Sequence, residues 1–268
     1  MQIIRFKDPQ GYVQTGCDFD GHTAAKLTGD LFDRPIATDT RAEVTQLLAP
    51  IDPRAIFCIG LNYKSHAAET GMELPQHPVV FMKNPASVTG PNSDIVIPGC
   101  CALEPEVDYE AELAVVIGHT AKNVTPEDAL DHVLGYTCAN DVSARRWQKH
   151  AGGGQWVRGK SFDTFCPLGP ALFTKDEIPS PQNLGVTLEL NSDTMQQGNT
   201  GDMIFSVARI ISFLSQSTTL MPGTVILTGT PSGVGFARKP PIFLKPGDVV
   251  KTTIGSLGTL VNKVVAEK

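Results

Sequence analysis

Asp108-Tyr109-Glu110-Ala111-Glu112-Leu113-Ala114-Val115-Val116-Ile117 alternates polar and apolar side chains at first and is solidly apolar afterwards. The period of two marks a strand, and the apolar continuation drives it into a core. Side chains alternate faces along a strand, so Glu110 and Glu112 point the same way, about 7 Å apart. Two readings stand. On a solvated face the pair needs no partner. At the buried end of a core strand, two carboxylates repel each other and call for a cation between them. Oxygen-only ligation suits Mg²⁺, Mn²⁺ or Ca²⁺ better than zinc.

Outward from this stretch, residues 134–139 form another apolar strand that runs into Asn140-Asp141-Val142-Ser143-Ala144-Arg145. Asp141 either caps a following helix or joins the two glutamates. Residues 56–59, 79–82, 95–97, 224–227 and 249–254 also read as strands, and residues 258–265 close the chain. Residues 187–190 and 194–197 read as a hairpin around Asn191-Ser192-Asp193. Helices are expected over 62–69, 126–133 and 203–214. Residues 1–50 read as a small separate β-rich unit. It has short strands at 2–6 and 12–17, then a helix over 41–48 that leads to Pro50. Residues 51–268 form the main domain. Many short strands, few helices and no strict strand–helix alternation predict a β-rich α+β fold.

The formal net charge is −6 and no basic stripe is present, which excludes nucleic acid from the expected partners. No run approaches the ~20 apolar residues of a membrane span. Six cysteines without a CxxC pair read as reduced thiols, buried or incidental. Met1-Gln2-Ile3-Ile4-Arg5-Phe6 is neither a secretory signal nor a transit peptide. A cytoplasmic location is expected, or a mitochondrial one if a leader has been removed.

Three further motifs carry chemistry. His66 and Glu69 lie three apart on an expected helix, so they form either a surface pair or a dyad in which the carboxylate orients an imidazole base. Gly154-Gln155-Trp156-Val157-Arg158-Gly159-Lys160-Ser161 spells GxxxxGK[ST], but no strand precedes it and no long helix follows, so a phosphate-binding loop is rejected. What remains is a glycine-rich loop that delivers Lys160, to an anionic substrate or to the surface. Leu227-Thr228-Gly229-Thr230-Pro231-Ser232-Gly233-Val234-Gly235 is a strand followed by a glycine-rich turn whose N–H groups can hold carboxylates.

From about Ile56 to its C-terminus the chain resembles the fumarylacetoacetate hydrolase superfamily. The resemblance rests on six ordered stretches: Gly60-Leu61-Asn62-Tyr63 with His66; Phe81-Met82-Lys83; Glu110 to Gly118; Asn140 to Arg145; Gly159 to Pro170; and Leu227 to Gly235. The run from Lys160 to Pro170, with Trp147-Gln148 and Arg238-Lys239-Pro240-Pro241, is most similar to the domain-containing-protein-2 branch, whose members resemble oxaloacetate tautomerases.

The resemblance implies mixed β-sheets rolled around the site and a homodimer. It implies Mg²⁺ or Mn²⁺ on Glu110, Glu112 and Asp141, a lid dyad of His66 and Glu69, and an active-site Lys160. Arg145, Gln148 and Thr230 would line the substrate pocket. The implied substrate is a small 2-oxo acid reacting through a metal-stabilised enolate. The family default is C–C hydrolysis of an acylpyruvate; oxaloacetate tautomerisation or decarboxylation is the alternative. A non-catalytic binding dimer is a rival of another class, which the intact ligand set and dyad disfavour. One departure stands out: the family commonly has an acidic residue where this chain has Arg146, which bears on the charge near the pocket mouth.

Overall fold

A computed structural model describes all residues from Met1 to Lys268. The strand that decides the fold runs Ala111–Ile117, and every residue in it is buried. It lies between antiparallel neighbours, Val133–Asn140 on one side and Thr224–Leu227 on the other. Alternate side chains serve two different cores. Leu113, Val115 and Ile117 enter the larger cluster, while Ala114 and Val116 enter the smaller. Glu110 and Glu112 continue the Ala114–Val116 face to the strand's entrance, as the period of two requires.

The large sheet extends both ways from this centre. Thr224–Leu227 pairs in parallel with Ala55–Gly60, which pairs antiparallel with the edge strand Val79–Lys83. On the other side Val133–Asn140 pairs with Cys166–Thr174, and that strand pairs with Gln2–Lys7. The N-terminal strands Val13–Cys17, Thr23–Asp30 and Asp33–Glu43 therefore continue the same sheet. A second sheet of five strands contains the expected hairpin, Gly185–Leu190 with Asp193–Asn199, followed by Val249–Ile254, Thr259–Ala266 and Ile95–Ile97. Its Leu188, Val250, Ile254 and Leu260 share a core with Leu113 and Val115. Two sheets that meet through alternating apolar residues bury them far more fully than either could alone.

The β-rich prediction holds, with short helices at Lys64–Thr70, Val157–Lys160 and Val207–Ser215. The helix expected over 41–48 does not form. Residues up to Glu43 belong to Asp33–Glu43, and Gln46–Leu48 pairs with Gln2–Lys7 in the register Arg5↔Leu48. The segment has good helix formers, but strand edges on both sides capture it, and tertiary pairing overrides intrinsic preference. The helix expected over 203–214 begins later, at Val207, because Ser206 caps it by accepting the Arg209 N–H at 3.2 Å.

Candidate metal centre

Glu110, Glu112 and Asp141 converge, with one carboxylate oxygen from each lying within 4.8 Å of the others. All three are buried. Backbone pairing makes the convergence. The Asp141 N–H donates to the Glu110 carbonyl at 2.8 Å, and the Glu110 N–H donates to Asn140 Oδ1 at 2.9 Å. The end of one central strand is thereby stitched to the end of its neighbour.

Cations surround two of the three carboxylates. Lys160 Nζ donates to Glu110 Oε2 at 2.7 Å and to Asp141 Oδ2 at 2.6 Å. Arg145 Nη2 donates to the other Glu110 oxygen at 2.7 Å. Lys83 Nζ caps the other Asp141 oxygen and also donates to the Val142 carbonyl. Burial alone would raise the Glu110 pKa, but Lys160 and then Arg145 outweigh it and hold the carboxyl well below the usual range. Glu112 lacks a cation. Its protein partner is the Gly229 N–H at 2.6 Å, and burial, then Asp141 and Glu110, push its carboxyl well above the usual value. Gly229 holds φ at +98°, and a Cβ there would meet Asn62 Cβ at 2.7 Å, so the N–H that reaches Glu112 depends on glycine.

Counted together, the buried carboxylates Asp108, Glu110, Glu112 and Asp141 face the buried cations Lys83, Arg145 and Lys160. With all seven groups ionised, one negative charge is left over, on Glu112, and its raised pKa is the cost of holding that charge without a cation. A hard divalent cation among these oxygens fits that deficit, and carboxylates keep lone pairs for it beyond those the lysines and arginine use.

The triad opens onto a cavity of about 340 Å³, and all nine residues singled out in the sequence line it. His66 Nδ1 lies 3.3 Å from Glu69 Oε2, and the other Glu69 oxygen accepts the Gly233 N–H at 2.8 Å. The pair is thus tied to the glycine-rich turn across the cavity. Thr230 Oγ1 donates to the Ala111 carbonyl at 2.9 Å and accepts from Gln196 at 2.7 Å. Gln148 Oε1 accepts from Arg145 Nη1 at 2.9 Å. Lys160 reaches the carboxylates from the one-turn helix Val157–Lys160. That helix packs tightly on the preceding segment: a Cβ on Gly159 would lie 2.8 Å from the Ala144 carbonyl.

Three contributors carry no obvious signal in the sequence. Lys83 ends an edge strand and is buried to 1% exposure. Asp108 opens the quoted stretch; it accepts from Arg145 Nε at 2.8 Å and from the Gly235 and Phe236 N–H groups at 2.8 and 3.0 Å. Phe236 places its ring over the Arg145 guanidinium, 4.3 Å from Cζ to centroid. Asp108 and Lys83 lie inside stretches already recognised, but burial of a charge is not visible in a residue's name. Arg146, the departure from the family pattern, is not part of the cavity lining. It pairs with Glu106 at 3.0 Å and donates to the Cys100 carbonyl at 2.9 Å, so its charge is matched away from the cavity lining.

Comparisons with known proteins agree with this architecture. The description "Fumarylacetoacetate (FAA) hydrolase C-terminal" matches residues 55–265. A mitochondrial oxaloacetate tautomerase of Xenopus laevis is 53% identical over 220 residues, 82% of this chain and 68% of that protein. A human mitochondrial oxaloacetate tautomerase is 48% identical over 225 residues, 84% of this chain and 71% of that protein. Among solved structures, a fumarylacetoacetate hydrolase from Exiguobacterium antarcticum superposes over the whole of both chains with TM-score 0.88 at 37% identity. A 2-hydroxyhepta-2,4-diene-1,7-dioate isomerase from Mycobacterium marinum does so over 100% and 99% of the chains, with TM-score 0.85 at 38% identity. The chain therefore belongs to the fumarylacetoacetate hydrolase family of enzymes.

Proposed function

We propose that this enzyme interconverts the keto and enol forms of oxaloacetate or a closely related 2-oxo acid, with Mg²⁺ or Mn²⁺ held by Glu110, Glu112 and Asp141. The observation that carries the reading is the buried three-carboxylate cluster with its single uncompensated charge, set in a cavity that also presents cations and an imidazole–carboxylate pair. The names of relatives about half identical to this chain support the substrate. They also favour the mitochondrial location over the cytoplasmic one.

When bound, the divalent ion supplies Lewis-acid polarisation of the 2-oxo group. The chain's own residues do the rest. Lys160 and Arg145 hold fixed positive charge beside the carboxylates, where an enolate oxygen gains negative charge; preorganised charge of this kind costs no reorganisation during reaction. Glu69 fixes the His66 ring through Nδ1, which leaves Nε2 to take a proton from the substrate's C3 and return it to oxygen, or the reverse. Burial of the cluster excludes bulk water and strengthens every interaction within it.

Hydrolytic cleavage of an acylpyruvate, the first expectation from the motifs, is the second reading. The same His66–Glu69 pair suits activation of a water, and the Exiguobacterium structure bears a hydrolase name. The homodimer also belongs to this proposal. Val80 and Met82 on the edge strand Val79–Lys83 are 40% and 39% exposed, an apolar strip that fits a second copy.

The test follows the ultraviolet absorbance of enol-oxaloacetate as it ketonises, with Mg²⁺ and then with chelator, alongside acetylpyruvate cleavage. The proposal expects ketonisation that Mg²⁺ restores after chelation. Acetylpyruvate cleavage without ketonisation would replace it with the hydrolytic reading, and full activity in chelator would overturn the metal's role.

A further inference from the structure

Three lysines and arginines line the cavity, and two of them are spent on carboxylates: Lys160 on Glu110 and Asp141, Arg145 on Asp108 and Glu110. The third, Lys149, has no carboxylate partner. Its ammonium sits 3.7 Å from the centroid of the Phe236 ring, the ring that also carries the Arg145 guanidinium at 4.3 Å. These two distances bound the separation of the cationic centres at 8.0 Å.

This placement is unfavourable in the protein alone. Arg145 and Lys149 are four residues apart where the chain enters the helical turn Trp147–Ala151, and like charges at that spacing repel. Partial burial, and then Arg145, lower the Lys149 pKa. The π-face of Phe236 returns only part of the cost. An anion on the cavity side of Lys149 would remove it. The required position is set by the rest of the site. Arg145 links the two ends of the cavity, since its Nη2 reaches Glu110 at 2.7 Å while its Cζ shares the aromatic ring with Lys149. Lys149 lines the same cavity as the triad, so an acid whose 2-oxo carboxylate end faces the triad has its far end in a space that Lys149 also borders. In a four-carbon diacid the carboxyl carbons are ~4 Å apart across three C–C bonds of ordinary length.

We propose that Lys149 is the residue that reads the distal carboxylate of the substrate, which makes the enzyme selective for 2-oxo dicarboxylates over 2-oxo monoacids. The inference rests on the 2-oxo acid function above and adds to it the substrate class and the residue that sets it. Lys149 touches the substrate's far end and takes no part in proton transfer, so its removal moves KM more than kcat.

The test compares the Mg²⁺-loaded wild type with Lys149→Met and Lys149→Arg. For each, KM and kcat for enol-oxaloacetate ketonisation are measured together with the inhibition constant of pyruvate, which lacks the distal group. Lys149→Met is expected to raise the ratio of oxaloacetate KM to pyruvate inhibition constant about 10-fold, the loss of one charged hydrogen bond at a half-exposed site. Lys149→Arg restores the ratio to within about 3-fold, because the charge is kept while its geometry changes. An unchanged ratio in Lys149→Met, with wild type still ketonising oxaloacetate, overturns the role of Lys149 and leaves the proposed function standing. A wild type that does not act on oxaloacetate overturns both.

Discussion

Replacement of Lys83 by Met removes one buried charge and shortens the side chain by one atom. Lys83 is 1% exposed, and its ammonium donates to Asp141 and to the Val142 carbonyl. Met preserves the methylene packing, so what is lost is the cation itself. The cluster then holds four buried carboxylates against two cations rather than three. Breaking one partner out of a buried ion pair costs roughly 3–5 kcal/mol, because the other charge is left uncompensated. Asp141 retains Lys160 on its second oxygen at 2.6 Å, which argues for the lower end, about 3 kcal/mol. For a chain of this size that corresponds to a fall in Tm of about 6–12 °C. Equilibrium urea unfolding of wild type, Lys83→Met, Asp141→Asn and the double variant gives the pairwise coupling directly, expected at about 2 kcal/mol or more. A Lys83→Met protein within about 1 kcal/mol of wild type, or a coupling near zero, refutes the claim that Lys83 compensates Asp141.

The carboxylate cluster also sets opposite pH dependences. Glu112 has its folded pKa raised, so its stabilising contribution is present below the ordinary carboxyl value and is lost as pH rises through the folded one; Glu110 is lowered, and its contribution is lost as pH falls below the ordinary value. Glu112→Gln is therefore expected to leave the metal-free protein at least as stable as wild type at neutral pH while abolishing the Tm gain on adding Mg²⁺; a Mg²⁺ gain equal to that of wild type would contradict this. His66→Ala should reduce kcat for ketonisation by roughly 10²–10⁴, and a rate within about threefold of wild type would remove His66 from proton transfer. Iodoacetamide at mildly alkaline pH should alkylate Cys100, the exposed thiol, and spare Cys138 and Cys166, which burial pushes up to about 12. Peptide mapping checks this, and comparable labelling of the buried pair would show that the core opens on the labelling timescale.

Much of the site was readable because it lies on segments whose patterns are strong. The strand Ala111–Ile117 shows both alternation and an apolar run, so the common facing of Glu110 and Glu112 follows from geometry alone. Asp141 could not be separated from a helix cap by its own neighbours; it took the pairing of two strand ends to bring it to Glu110. Cys166–Thr174 does not read as a strand in the sequence, because Pro167 and Pro170 interrupt its pattern, although it pairs with Val133–Asn140 and Gln2–Lys7. The 41–48 segment shows the opposite: its residues suit a helix, and the strands that claim it come from elsewhere in the chain. Lys83 and Lys149 carry the same letter, yet one is sealed beneath Asp141 and the other stands at the cavity wall. Only the packing distinguishes them.

The central claim is that Glu110, Glu112 and Asp141 hold one divalent cation. Titration of metal-free protein with Mn²⁺, followed calorimetrically and by the loss of the free-ion electron paramagnetic signal, measures this without reference to any substrate. The account predicts one site per chain in wild type and an affinity at least ~100-fold weaker in Glu112→Gln, the variant that removes the uncompensated charge. Equal Mn²⁺ affinity in the two proteins, or no site in wild type, would contradict it.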